Sequence, residues 1–234
     1  MKSKGTPVAD RRTPRKVDTR AADRRAQILE ASARLFAEFG FERTSVRQIA
    51  DEVNILAGSL YHHFATKEDM LHELLREPVS IATRDNAAIK RLKVDAEQKL
   101  VATIVTFFRN QATYWEAFSV MHNDGVALRR HDDFAYLEEL RVQSFSLLKS
   151  ILQDGMKAKL FRPDIDTTLM IGTVFRMMNS AVAWVREREI NKSALAARYS
   201  LDQVVDFHLD CILRMVRATA RLEEPVPRAA CELI

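Results

Sequence analysis

The segment Gly58-Ser59-Leu60-Tyr61-His62-His63-Phe64 sets one residue without a side chain among four polar-tipped ones. At Gly58 the backbone can approach another molecule closely. Leu60 and Phe64, four apart, meet on one helix face and pack inward. Ser59, Tyr61, His62 and His63 are left for the outward faces, where hydroxyl, phenol and imidazole groups bond phosphate oxygens or base edges. Lys67 opens the next helix, and a cation beside free N–H groups suits phosphate. This is the chemistry of a nucleic-acid surface. Other chemistries lack their residues. Adjacent helix positions point about 100° apart, so His62 and His63 cannot chelate one ion together. His72, His122, His131 and His208 stand singly, and Cys211 and Cys231 have no metal or redox spacing. No Gly-rich phosphate loop, nucleophile elbow or metal triad occurs. No metal, cofactor or enzyme activity is therefore expected.

Such a surface needs two short helices held at a corner. A helical pattern begins at about Asp23, with Ile28, Ser32, Leu35, Phe36 and Phe39 on one face. Gly40 supplies the left-handed residue that ends it. After a loop, Ser45 caps a second helix whose apolar stripe is Val46, Ile49, Ala50 and Val53. Asn54 suits a left-handed turn, and a short third helix follows over about 57–64. Thr66 caps a fourth that opens Lys67-Glu68-Asp69, with acids where the helix dipole favours them. Pro78 should kink or interrupt it. Further helices are expected over roughly 94–115, 116–130, 133–159, 166–188 and 200–222. Gly155 and Pro163 bracket one connection, and 191–200 makes another. The expected fold is all-α, about nine helices: an N-terminal three-helix helix-turn-helix domain and a larger C-terminal helical bundle.

Charge is uneven. Residues 1–25 hold nine Lys/Arg against Asp10, Asp18 and Asp23, an excess of +6 in a chain of net +4. This arm is either a tether to phosphates or a solvated tail. The start carries no apolar stretch of a signal peptide, and no run of about 18 apolar residues occurs. A soluble, cytoplasmic protein with no membrane partner is expected. The boundaries read as a disordered basic arm over 1–20, the helix-turn-helix over 21–66, a helical body over 67–222 and a tail over 223–234.

From Gln27 to Leu75, the pairs Ile28-Leu29, Leu35-Phe36 and Gly40-Phe41 precede Thr44-Ser45-Val46, Ile49-Ala50, Gly58 to Phe64 and Lys67-Glu68. In order, spacing and type they resemble the tetracycline-repressor (TetR) family. The resemblance covers about one fifth of the chain. It implies a homodimer of nine-helix subunits, with DNA-binding heads and with bodies, residues 67–222, for ligand binding and dimerisation. It also implies that Tyr61, Lys67 and Thr44 match positions that usually contact phosphate. Arg47, Ser59 and His62 match positions that commonly face bases. Ser45 and Gly58 complete the expected DNA-binding set. The chain departs from the family at Val53-Asn54, where Ala-Gly is usual. It departs again at Leu56-Ala57, where a Ser cap worth about 1 kcal/mol and a basic residue are common. Residues 54–59 are similar to a subgroup regulating sterol-ring and other coenzyme A-linked catabolism.

The body is rich in aromatic and Met residues, which serve either as core or as the wall of an apolar pocket. Phe107, Phe108, Trp115, Phe118, Met121, Phe145, Phe175 and Met178 are candidate walls. Arg109, Arg141, Arg176 and Asn179 are candidate orienting groups, preferred over Arg129-Arg130, although surface ion pairs explain the arginines as well. The last two long helices are apolar over wide arcs, which include Ile171, Val174, Met178 and Val182 in one and His208, Ile212 and Val216 in the other. Subunit contact is the expected reason. The implied function is a transcriptional regulator, in the family's commoner mode a repressor, that leaves a palindromic operator on double-stranded DNA when a small effector binds. Acyl- or sterol-derived coenzyme A thioesters, free fatty acids and neutral molecules are the alternative effectors.

Overall fold

The structure, a computed structural model, describes residues 17–189, 198–222 and 224. Ten α-helices occur among them: α1 Val17–Phe39, α2 Val46–Glu52, α3 Ala57–Leu60, α4 Lys67–Arg91, α5 Ala96–Thr113, α6 Trp115–Asn123, α7 Gly125–Leu128, α8 Ala135–Lys157, α9 Thr167–Glu189 and α10 Leu201–Val216. No strand is found among the described residues, only an isolated bridge between Phe161 and Arg217. Residues 1–16, 190–197, 223 and 225–234 lie outside the description. So do most of the basic arm, most of the 191–200 connection and Cys231.

The head is built by local chemistry. Gly40 ends α1 at φ 89° and Asn54 turns the chain at φ 55°. Ser45 Oγ accepts from Gln48 N at 3.2 Å while Gln48 Oε1 accepts from Ser45 N at 2.8 Å, closing both ends of a capping box. Thr66 and Asp69 do the same for α4.

Four expectations are corrected. Helix α1 starts at Val17 and absorbs the end of the arm. Phe39 is 47% exposed, because it is the helix's last residue and Phe41, turned back by Gly40, packs edge-on against Phe36 instead. Helix α3 is one turn long, since Leu56 offers no side-chain cap; turn-like bonds from His62, His63 and Phe64 N–H groups carry the coil onward. Pro78 is buried inside α4, which runs unbroken; the lost N–H removes a single rung of the ladder.

Two apolar clusters hold the chain. One joins Ile28, Phe36, Ile49, Leu60 and Phe64 of the head to Leu71 and Leu75 of α4, to Val120 of α6 and to Phe134 and Leu137. The other packs α5, α8, α9 and α10 around Leu100, Phe108, Ile151, Val174 and Ile212. The head therefore rests on α4 and α6 through shared core.

Gly155 does not make the connection after α8. It lies within that helix, where an added Cβ would stand 2.0 Å from Cδ2 of the buried Phe161 ring. The left-handed residue that follows is Lys159, at φ 58°. Gly155→Ala is expected to displace Phe161 and lower stability by about 1–3 kcal/mol, the usual cost of overpacking, read as a lower midpoint in thermal or urea unfolding.

Candidate nucleic-acid interface and ligand cavity

The α2–α3 corner presents its polar residues outward. Arg47's side chain is 87% exposed, 4.0 Å from Asp51. Tyr61 and His62 are exposed and Ser59 is half-buried. Gly58 is exposed, and a Cβ added there would meet nothing within 4 Å. Nothing within the chain calls for glycine at that place. Ser45 is exposed, with its hydroxyl already engaged by Gln48.

Thr44 and Lys67 sit differently from expectation. Thr44 is buried, and its hydroxyl lies 2.8 Å from Gly40 O and 3.2 Å from Leu35 O. Its side chain closes the α1–α2 loop and is not a surface contact. The Lys67 ammonium donates to Phe41 O at 2.8 Å and to Thr44 O at 3.1 Å, and lies 4.3 Å from the Phe41 ring centroid. Two of its three donors therefore brace the loop. His63 faces a cleft of about 630 Å³ between head and body, together with Arg25, His72, Arg76 and Tyr136. There His72 stacks on Phe134 and meets Tyr136 OH at 3.3 Å. Burial pushes the Tyr136 phenol up to about 12. The cleft had no signal in the sequence, because its lining comes from separate segments.

A second cavity, of about 480 Å³, opens in the body between α5, α6–α7, α8 and α9. Of the proposed wall residues it gathers Phe107, Phe118, Met121, Phe145 and Phe175, and of the orienting ones Arg141, Arg176 and Asn179. Phe145 and Phe175 stack at 4.8 Å, and Phe107 meets Phe118 and Phe175 edge-on. Four candidates are not among its lining. Phe108 and Met178 are buried in the body core; Trp115 is half-buried elsewhere, and Arg109 is exposed. Arg109 follows Phe108 by one position, so an inward Phe108 turns it outward.

Arg129, set aside in the sequence, lines the cavity instead, as do His122, Leu137, Leu140, Ser144 and Gly172. Arg129 Nε lies 3.2 Å from Glu138, and Arg141 donates to the same carboxylate through Nε at 2.7 Å and through Nη2. The bonds from Arg141, with the charges of both arginines, hold the Glu138 carboxyl below the usual carboxylate range. Three guanidiniums, those of Arg129, Arg141 and Arg176, line one aromatic chamber, an arrangement that can take an apolar body with an anionic end.

The cavity is linked to the head through one turn. Met121, His122, Gly125 and Val126 of the α6–α7 turn line it. Between them, Asp124 Oδ2 accepts from Phe41 N at 3.0 Å, in the loop that Lys67 braces from the other side.

Much of the wide apolar arcs of α9 and α10 is used within the chain. Ile171, Val174, Met178, His208, Ile212 and Val216 are buried in the chain's own core. Val182 lies outside the described side chains. Among the described side chains, Phe207 at 66% and Leu169 at 70% exposure are the large apolar groups those helices turn outward. Among the described residues, no three His, Cys, Asp or Glu converge as metal ligands, and no helix is long and apolar enough to cross a membrane.

Comparison with known proteins agrees with this geometry. Residues 28–74 match the family model for bacterial regulatory proteins, tetR family. Residues 93–216 match a tetracyclin repressor-like C-terminal domain. The HTH-type transcriptional repressor KstR2 of Rhodococcus jostii (strain RHA1) is 35% identical over 165 residues, 70% of this chain and 78% of that protein. KstR2 of Mycobacterium tuberculosis (strain ATCC 25618 / H37Rv) is 31% identical over 163 residues, 70% of this chain and 82% of its own. A solved structure of the ketosteroid transcriptional regulator KstR2 of Mycobacterium tuberculosis matches with a TM-score of 0.74 at 28% identity, covering 83% of this chain and 95% of that one.

Proposed function

Because this chain belongs to the tetracycline-repressor family of bacterial regulators, we propose that it is a homodimeric repressor holding a palindromic operator until an apolar-bodied anion enters its body cavity. It is a transcriptional regulator, not an enzyme. The observation that carries the reading is the α2–α3 corner, which presents Arg47, Ser59, Tyr61 and His62 together with a glycine that the fold itself does not require. Residues 21–66 act as head and 67–222 as body, in the cytoplasm where the operator lies.

Tyr61 donates to phosphate in this reading, while Arg47 and His62 read bases. Lys67 has one remaining donor for phosphate and otherwise positions the loop. Tyr61→Phe is expected to weaken binding to all DNA by about 1 kcal/mol, the worth of one hydrogen bond. Arg47→Ala and His62→Ala should also change base preference at defined positions. Anisotropy titrations against a selected operator and scrambled DNA check this. If Tyr61→Phe, Arg47→Ala and His62→Ala together left operator affinity intact, the assigned surface would be wrong.

The effector is read from charge and shape. Arg129, Arg141 and Arg176 line the aromatic chamber, with no acidic residue among its described lining, which favours a carboxylate or phosphate on an apolar body. The likeness to the ketosteroid regulator KstR2 supports a steroid skeleton as the apolar body, and a sterol-derived acid or its coenzyme A thioester would join such a body to an anionic end. Titrating the operator complex with a steroid acid, its coenzyme A thioester and a neutral steroid separates the cases. Release by the neutral steroid at equal concentration would count against an anionic effector.

For the dimer, the outward face of α10 is the proposed seam. Phe207→Glu should leave the monomer fold intact and weaken association at least tenfold, about 1.4 kcal/mol. Ile212→Glu would unfold the chain first. Light scattering that found dimers of unchanged affinity would move the seam elsewhere.

A further inference from the structure

Leu56 is 80% exposed, more than any other large apolar residue described, and it stands at the entrance to the reading helix. Its neighbours Ile55 and Ala57 pack against the head core. The alternation leaves Leu56 pointing away from that core, beside Gly58 and on the corner that carries Tyr61 and His62. It gives the fold nothing in return. It supplies no cap to α3, where Ser, Thr, Asp or Asn would accept from a free N–H. Small residues follow at Ala57, Gly58 and Ser59, so one large side chain projects from a stretch of backbone able to come close to DNA.

We propose that Leu56 is a specificity-determining residue that reads the 5-methyl group of thymine in the operator's major groove. The inference rests on the repressor reading above. N-terminal residues of a recognition helix are those that reach base edges. A leucine has neither donor nor acceptor, and the thymine methyl is the one apolar group a standard base pair shows in that groove. Set against guanine N7 and O6 or cytosine N4, the same side chain would strip water from polar atoms and pair none of them. Attraction to thymine and exclusion of guanine and cytosine then act together. A position that looks, by its missing basic residue, like a lost base contact becomes an apolar one.

The test uses the full chain and an operator recovered by in vitro selection. Each thymine is replaced in turn by deoxyuridine, which removes only the methyl. At one or two thymines per half-site the wild-type protein should lose about fourfold in affinity, equivalent to ~0.8 kcal/mol for one buried methyl-sized group. Leu56→Ala should bind more weakly and be blind to the same replacement. Reselection with Leu56→Arg should shift those positions towards guanine. Leu56 makes no core contact, and matching thermal unfolding curves would show that the variants fold. If methyl dependence survives Leu56→Ala at every thymine, or if that variant weakens all DNA equally, Leu56 does not read thymine. If the full chain enriches no sequence at all, the repressor reading fails before this one is reached.

Discussion

Glu97→Ala is expected to lower the free energy of unfolding by about 3–5 kcal/mol, the usual cost of removing one partner from a buried ion pair. Glu97, near the start of α5, and Arg217, just past the end of α10, are both buried. Arg217 Nη2 lies 2.7 Å and Nε 3.1 Å from the Glu97 carboxylate, a two-bond fork. Arg221 approaches the same carboxylate at 3.7 Å. Around the pair, Arg162 N donates to Val216 O and Ala218 N to Leu160 O, tying the α8–α9 connection to the end of α10. Without Glu97, two guanidiniums share a water-poor corner with no carboxylate from α5, and the end of α10 should loosen first. The double change Glu97→Leu with Arg217→Met removes both charges and should recover most of the loss, because well-packed apolar groups often replace a buried pair at no cost. Urea unfolding of the wild type, the two single variants and the double variant measures the coupling. If Glu97→Ala cost under 1 kcal/mol, the corner would be wet and the pair of little consequence.

What was legible in the sequence was what neighbouring residues decide among themselves. Gly40, Ser45, Asn54 and Thr66 each act within four positions, and each forms the turn or cap expected of it, with Gln48 and Asp69 closing the boxes. The corner was legible for the same reason, since inward Leu60 and Phe64 dictate which neighbours face out. The limits appear where two distant segments decide a residue's surroundings. Thr44 looks like a surface hydroxyl until the carbonyls of Leu35 and Gly40 are folded over it. Ile212 looks like interface until α5 and α9 cover it. Arg109 and Arg129 both follow apolar residues. Only the packing of α6–α7 against α8, through Glu138, draws Arg129 to the cavity. Periodicity reports that a face is buried but does not say against what.

Gly172→Phe should act as a built-in effector and weaken operator binding about 5–150-fold, the span of ordinary allosteric coupling at ~1–3 kcal/mol. Gly172 lines the body cavity from α9, and a Cβ added there meets nothing within 4 Å. The ring would therefore fill space and press on the opposite walls, with little direct clash at the backbone. One of those walls is the α6–α7 turn, whose Asp124 holds the Phe41 N–H at 3.0 Å. That amide begins the loop leading into α2, so a shift of the turn re-aims Arg47 and the α2–α3 corner. A ligand, or a phenyl ring standing in for one, moves this equilibrium only by favouring one head position over the other. Removing the link should then decouple the two ends. Asp124→Ala is expected to lower operator affinity modestly by itself and to abolish the further effect of Gly172→Phe. Asp124→Asn, which keeps an acceptor oxygen, should preserve the coupling. Hydrogen exchange at Phe41 gives an independent reading, faster in Asp124→Ala and altered by Gly172→Phe only where an acceptor remains at position 124. If Gly172→Phe leaves operator affinity unchanged, or weakens it equally with Asp124 and with alanine there, the cavity does not act on the head through this turn.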